Sequence, residues 1–480
     1  MQTRVGAWSF GEFTAAHPWI APAALIALTL ATHAIVIAAP GFYSNDEWQK
    51  FDHVDARGWL DFTVAYTTLR PGPEFGYPLR PLGFLQQGLV ARWMQSAPWV
   101  VHLASVINHA VVALVFVWVL LRADAGRTLA WLAGALFVVS PLTTIATGWI
   151  AASFDQLYIA FLLLVAAVVV RPSPLAPGPV QAAAIVLATT AALLCKETAL
   201  IAPAAVAVLA YVAWLRDAAR FSARFHAMAV MLASLPVALY LAYRSSAIVA
   251  SATGGGVAMY TPAASNVPWN AWRLFAFPFR PNLYEMSDAV FASPWQPAAA
   301  ALAHLVLVAA IARLYGTRWA VAYVAGYFVF LLPVLSIPNP GLQCMYGSAL
   351  AMSLAVAAIL RRLWVDHRVR AVVWVSLGVA VLLAHALTIQ MRFYDTAICQ
   401  TALLAAVDDT LAREGAGGRS LRIVTAQGPA ARVAMRAVTA RPRYEVEGRP
   451  RVVIEQFPAP ADQTLPAQTD PLRKRLTSAC

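Results

Sequence analysis

The sequence predicts an all-α polytopic membrane protein of about eleven transmembrane helices, with a small extracytoplasmic α/β module at its C-terminal end. Three observations carry this. Composition comes first: 60% of the residues are hydrophobic, only 12% are charged, and the mean hydropathy is +0.64, values that no soluble domain needs. Second, apolar runs near the roughly 20 residues that cross a bilayer recur along the chain, at 20–39, 98–121, 128–147, 198–215, 226–243, 319–335 and 371–390. Shorter or interrupted runs lie at 156–170, 180–195, 298–312 and 344–360. Third, arginine alternates between the short connections. One set holds Arg122 and Arg127, Arg171, Arg216, Arg220 and Arg224, Arg313 and Arg318, and Arg361, Arg362, Arg368 and Arg370, whereas the set between them holds only Lys196.

Positive charge in short loops resists translocation, so the arginine-bearing connections and the N-terminus are expected on the cytoplasmic side. Loop 40–97, loop 244–297 and the tail from 391 are then expected on the other side, a bacterial periplasm. The run at 20–39 is longer than the apolar core of a signal peptide and is preceded by one basic residue, Arg4, so it reads as a first span. The formal net charge of +12 follows the topology rule in the short loops, and no nucleic-acid module is visible. Cys195, Cys344, Cys399 and Cys480 lie far apart without metal-ligand spacing, which gives no disulfide framework.

Two units follow, a transmembrane domain at 1–390 and a separate one at 391–480. In the second, Leu421 to Thr425 and Arg451 to Glu455 read as strands, Pro429 to Val438 as a short helix, and the Pro-rich basic end from Ala459 as a tail.

The first long loop is the most informative segment. Ser44 followed by Glu47 has the spacing of a capping box, and Trp48, Phe51, Trp59 and Phe62 fall close to one stripe, so a helix along the membrane surface is expected. Asp46 and Glu47 in its first turn fit two roles, chemistry or complementing the helix dipole. The second long loop carries Gly254 to Gly256, without a phosphate-binding pattern after them, and then Trp269, Trp272, Phe275, Phe277, Phe279, Tyr284 and Trp295. Those aromatics would form an interfacial belt or stack on a sugar or isoprenoid.

Further polar residues recur at the outer ends of the spans: Arg80-Pro81-Leu82, His102, Asn108-His109, Ser140-Pro141, Trp149 with Asp155, and Lys196-Glu197. In that order they resemble the membrane O-mannosyltransferases that carry tetratricopeptide repeats, and more broadly the GT-C-fold glycosyltransferases that use polyprenyl-phosphate sugars. The resemblance covers about the first 215 residues, and beyond that only the topology. It implies a GT-C-like fold and a reacting-centre carboxylate at Asp46, with Glu47 completing an Asp-Glu pair. It also implies substrate contacts at Arg80, His102, Asn108, His109, Asp155, Lys196 and Glu197. Two elements depart from the pattern: Phe154 stands where an arginine is expected, and Leu342 and Gln343 replace charged positions ahead of the retained Tyr346. There are no tetratricopeptide repeats after the last span.

The chemistry suits these residue types. A phosphate-linked sugar already has a good leaving group, so the enzyme needs a base for the acceptor hydroxyl, which an ionised Asp46 supplies. Cations must meet the departing phosphate: Arg80 and Lys196 first, then Arg273 and Arg280 in the aromatic loop. Asp46 and Glu47 could also hold a divalent cation; His102 and His109 lack a third ligand for zinc. The expected partners are a polyprenyl-phosphate-linked sugar and a lipid, polysaccharide or protein acceptor. Plainer readings remain open, since Arg80 and Lys196 could be snorkelling anchors and the histidines packed core residues. The alternatives in function are a transporter or flippase of lipid-linked sugars, or a relative that kept the fold without the activity.

Overall fold

The computed structural model describes residues 18–43, 45–61, 79–94, 96–172, 175–250, 262–279, 295–338, 340–414, 421–426, 437–438, 445–446, 449–450 and 452–457. It shows a helical bundle. In chain order the helices are α1 (Ile20–Thr32), α2 (Ala34–Ile37), α3 (Asn45–Arg57), α4 (Pro81–Ala91), α5 (Pro98–Arg122), α6 (Arg127–Val138), α7 (Pro141–Gly148) and α8 (Ser153–Val169). They continue as α9 (Pro179–Cys195), α10 (Ala202–Arg216), α11 (Ala223–Ala250), α12 (Asn266–Ala276), α13 (Trp295–Tyr315), α14 (Thr317–Phe328), α15 (Ser348–Val365) and α16 (Val369–Glu414).

Among the described residues, seven helices are long and apolar enough to cross a membrane: Pro98–Arg122, Ile150–Val169, Glu197–Arg216, Ala223–Ser245, Pro297–Tyr315, Leu342–Val365 and Val369–Arg413. The expected span at 128–147 is broken, because α6 and α7 bend by 54° at Ser140-Pro141. Proline has no N–H to continue α6, and Ser140 Oγ instead accepts the Leu142 N–H at the start of α7. Three more of the expected eleven runs form shorter apolar helices, Ile20–Thr32, Pro179–Cys195 and Thr317–Leu331.

Helix α7 is buried along its whole length, and polar side chains turn inward to satisfy its backbone: Thr143, Thr144 and Thr147 each return a hydroxyl to a carbonyl within six residues. Ser105 on α5 donates to the Thr147 carbonyl at 2.8 Å. Gly148 lets α16 approach, since a Cβ there would lie 2.8 Å from Phe393 Cδ2.

Helix α16 does not stop at the boundary expected at 391 but runs unbroken for 46 residues to Glu414. Its Gln400 accepts the Trp48 indole N–H at 2.6 Å and donates to the Tyr43 carbonyl at 3.1 Å, so the outer part of α16 forms a wall for α3. Beyond it, β1 (Leu421–Ala426) pairs in parallel with β4 (Val452–Phe457), and β2 (Glu445–Val446) pairs antiparallel with β3 (Arg449–Pro450). The expected helix at 429–438 is described only at Ala437 and Val438, and the tail from Ala459 lies outside the described residues. Cys195 and Cys344 are buried free thiols, whereas Cys399 on α16 is disulfide-bonded.

Candidate functional site

The expected first-loop helix is present as α3 and ends at Gly58, whose φ of +85° is a left-handed stop that favours glycine. Its apolar side does not lie open. Trp48 and Val54 are buried with Phe42, Phe84, Phe154, Leu403 and Val407 in one cluster, so α3 is clamped between α4, the start of α8 and α16.

Glu47, expected at the reacting centre, is instead a buried staple, 1% exposed. Its Oε2 accepts the Tyr43 N–H at 2.8 Å and its Oε1 the Ile150 N–H at 2.6 Å. The first bond is the returning half of a capping box displaced by one residue, and the second joins α3 to the break between α7 and α8. These bonds tie the carboxylate to the backbone of two separate segments. The side chains of Ser44 and Asp46 lie outside the described residues, although the backbone puts Asp46 in the first turn of α3.

Four of the expected residues converge on one spot from three separate segments. Arg80, at the entrance to α4, forms a fork with Glu197: its Nε donates to Oε2 at 2.8 Å and its Nη2 to Oε1. Lys196 Nζ donates to Asp155 Oδ2 at 2.5 Å. Lys196 and Glu197 are adjacent at the break between α9 and the 3-10 turn Glu197–Ile201, so extended backbone at Lys196, with φ −160° and ψ 135°, sends the two side chains to different partners. Asp155 is fully buried, and its Oδ1 has no hydrogen-bond partner among the described residues.

The Arg80–Glu197 fork faces outward more than the lysine pair does, with side-chain exposures of 19% and 36% against 9% and 0%. The deeper pair forms the floor and the fork forms the rim. Cys344 and Tyr346, from the turn Leu342–Tyr346, lie within electrostatic reach of Asp155. The Tyr346 hydroxyl meets His109 Nδ1 at 2.7 Å, and since His109 Nε2 faces the Val138 carbonyl at 3.4 Å, Tyr346 is the donor. His109 also sits edge-on to His33, with centroids 5.1 Å apart.

The remaining expected contacts have the following surroundings. His102 Nε2 donates to the Gly41 carbonyl at 2.9 Å, pinning the strap before α3. Asn108 Nδ2 is buried without a hydrogen-bond partner among the described residues. Arg273 on α12 donates to the Pro340 carbonyl at 2.8 Å, next to the turn that carries Cys344, and Asn270 holds the Leu335 and Ile337 carbonyls at 2.8 Å each. Helix α12 thus grips the segment leading to Tyr346 with one face and exposes Trp269 and Trp272 on the other, an interfacial arrangement. Phe275 and Phe277 pack inward instead, Phe275 stacking on His304 with centroids 3.9 Å apart. Arg280, Gly254 to Gly256 and Tyr284 lie outside the described residues.

Sequence reasoning missed Lys50 and Gln87. Lys50 Nζ donates to Gln87 Oε1 at 2.7 Å, and the Gln87 amide donates to the Ile150 carbonyl at 3.0 Å and to Ser153 Oγ at 3.2 Å. The signal that could have found Lys50 is its place four residues after Asp46, on the same helix face. Among the described residues, no group of three His, Cys, Asp or Glu side chains gathers as a metal site. Neither a family profile nor a curated protein nor a solved structure matches this chain.

Proposed function

We propose that this chain is a GT-C-type glycosyltransferase of the bacterial inner membrane, moving a sugar from a polyprenyl-phosphate carrier to an acceptor hydroxyl on the periplasmic side. The observation that carries the reading is the convergence of Arg80, Asp155, Lys196 and Glu197 beside the first-loop helix. Seven helices long enough to span, the bent pair α6–α7 and three shorter apolar helices are in keeping with the roughly eleven spans expected from the sequence. A disulfide at Cys399 fits an oxidising compartment on that side of the membrane, and the paired strands after α16 supply the small outer module.

In this mechanism Asp46 takes the proton of the acceptor hydroxyl as its oxygen attacks the anomeric carbon. The bond from that carbon to the phosphate oxygen breaks, the phosphate leaves with the electron pair, and inversion follows from a single in-line displacement. Asp155 and Lys196 form a rigid floor, and Arg80 presents its guanidinium at the rim. Glu47 keeps α3 in register with the α7–α8 break.

A second reading, translocation of a lipid-linked sugar, is favoured by one feature, the complete burial of the Asp155 carboxylate inside the bundle, where ionisable groups mark transport paths. The deciding experiment compares surface glycans by mass spectrometry from cells lacking the chain, complemented with wild type or Asp46→Asn at equal membrane abundance. A sugar mass restored by wild type and not by Asp46→Asn is the expected result. Equal restoration removes Asp46 as the base, and loss of a whole lipid-linked glycan from the outer face would favour translocation.

A further inference from the structure

A tyrosine stands beside the rim of the charged cluster. Helix α11 packs along both α9 and α10, the two helices whose junction carries Lys196 and Glu197. The short connection at 217–222 turns the chain back, so α11 climbs as α10 descends. At 1.5 Å per residue, Tyr240 lies about 26 Å along α11, and the start of α10 lies about 21 Å from its own end, with the turn Glu197–Ile201 just beyond. The levels match. Tyr240 shares a core with Cys195, Ala199 and Ile201, and it lies within electrostatic reach of Glu197, Arg244 and Arg80.

Tyr240 is 8% exposed, and its hydroxyl is buried without a hydrogen-bond partner among the described residues. A buried phenol with no acceptor costs stability, so its retention calls for a reason. The acceptor beside it is occupied, because both Glu197 oxygens are held by Arg80. At rest the fork satisfies Glu197 and leaves the tyrosine over. That balance changes when Arg80 meets a phosphate at the rim. A phosphate takes a guanidinium by the same kind of paired N–H edge as a carboxylate does, so the two anions compete for it. Glu197 then loses its counter-charge and needs another donor.

We propose that Tyr240 is a relay donor: when the lipid-linked phosphate draws Arg80 away from Glu197, the Tyr240 hydroxyl takes the released place on the Glu197 carboxylate. This rests on the glycosyltransferase reading. Tyr240 is a positioning residue, acting through Glu197 and Arg80 without touching the substrate. No covalent bond changes and no proton is transferred: N–H···O contacts to Glu197 give way to one O–H···O contact, and the guanidinium carries its protons to the phosphate. The arriving negative charge is met by a full positive charge, and the hydroxyl adds none of its own.

The test uses the full chain in lipid nanodiscs and compares wild type, Tyr240→Phe, Arg80→Met and the double variant. Without ligand, Tyr240→Phe should leave the thermal midpoint unchanged or raised, since it removes an unsatisfied hydroxyl. In the Arg80→Met background the hydroxyl already serves Glu197, so the same change should lower the midpoint, and this non-additivity is the signature of the relay. Equal effects in both backgrounds would overturn it, as would a midpoint lowered in wild type, which marks a structural bond already present. Undecaprenyl phosphate and undecaprenol then serve as binding probes. Wild type is expected to prefer the phosphate, and Tyr240→Phe should lose about tenfold for the phosphate and nothing for the alcohol. If wild type prefers the phosphate and Tyr240→Phe does so equally, the relay falls and the glycosyltransferase reading survives. If wild type binds both probes alike, the chain does not recognise a lipid phosphate and both proposals fall.

Discussion

At the scale of single residues, the chain separates charges that look equivalent in sequence. Asp46 and Glu47 are neighbours, yet Glu47 spends both oxygens on backbone donors. Lys196 and Glu197 are neighbours too, yet they serve different pairs at different depths. Breaking the deeper pair should be the more damaging change. Asp155→Asn leaves a buried ammonium without its counter-charge and should cost about 3–5 kcal/mol, read as a lowered unfolding midpoint in detergent. Replacing both partners together, Asp155→Leu with Lys196→Met, should recover part of that loss, because no uncompensated charge remains. Glu197→Gln at the more exposed fork should cost less than Asp155→Asn in the same assay, as screened pairs contribute little. Glu47→Gln keeps the size but weakens two charge-assisted bonds. It should loosen α3, seen as faster hydrogen exchange at the Tyr43 and Ile150 amides.

At the scale of elements, close approach between backbones decides what fits. Helix α4 comes so near α8 and the end of α9 that a Cβ at Gly83 would lie 2.3 Å from Phe154 Cδ1 and 3.1 Å from the Cys195 carbonyl. Gly83→Ala should therefore lower stability by about 1–3 kcal/mol through overpacking, and adding Phe154→Leu should relieve part of it, again by unfolding midpoint. Helices were the legible part of this molecule. Apolar run length located the seven helices long enough to cross a membrane, and Pro141 after Ser140 explains the run that broke. The capping spacing at Ser44 and Glu47 located the start of α3. What pattern could not supply was depth and partner choice. No spacing rule places Trp48 against Gln400, or Phe154 between Lys50 and Arg80, because both depend on how distant helices cross. Helix α16 crosses the expected boundary at 391 for a related reason. Composition turns polar there, but α16 keeps going, since its outer turns bury Leu403, Leu404 and Val407 against α3 and its neighbours.

At the scale of the whole molecule, topology is the claim with the widest reach. If the arginine-rich connections are cytoplasmic, alkaline phosphatase fused after Glu414 should be active and a fluorescent protein at the same point dark, and the reverse would overturn the orientation. The fold as a bundle was legible from composition alone, whereas its outer wall was not: α16 is about 69 Å long at 1.5 Å per residue, more than twice the hydrocarbon thickness of about 30 Å. That wall has a consequence in time. The Trp48–Gln400 bond joins residues 352 apart, so at about 5–20 residues per second the ribosome needs roughly 20–70 s to deliver the second partner after the first. Until then the first-loop helix has emerged without the surface it leans on, whereas the four charged residues of the cluster, the last of them Glu197, are already made. Packing of α3, not pairing of the charges, is what waits for the end of synthesis.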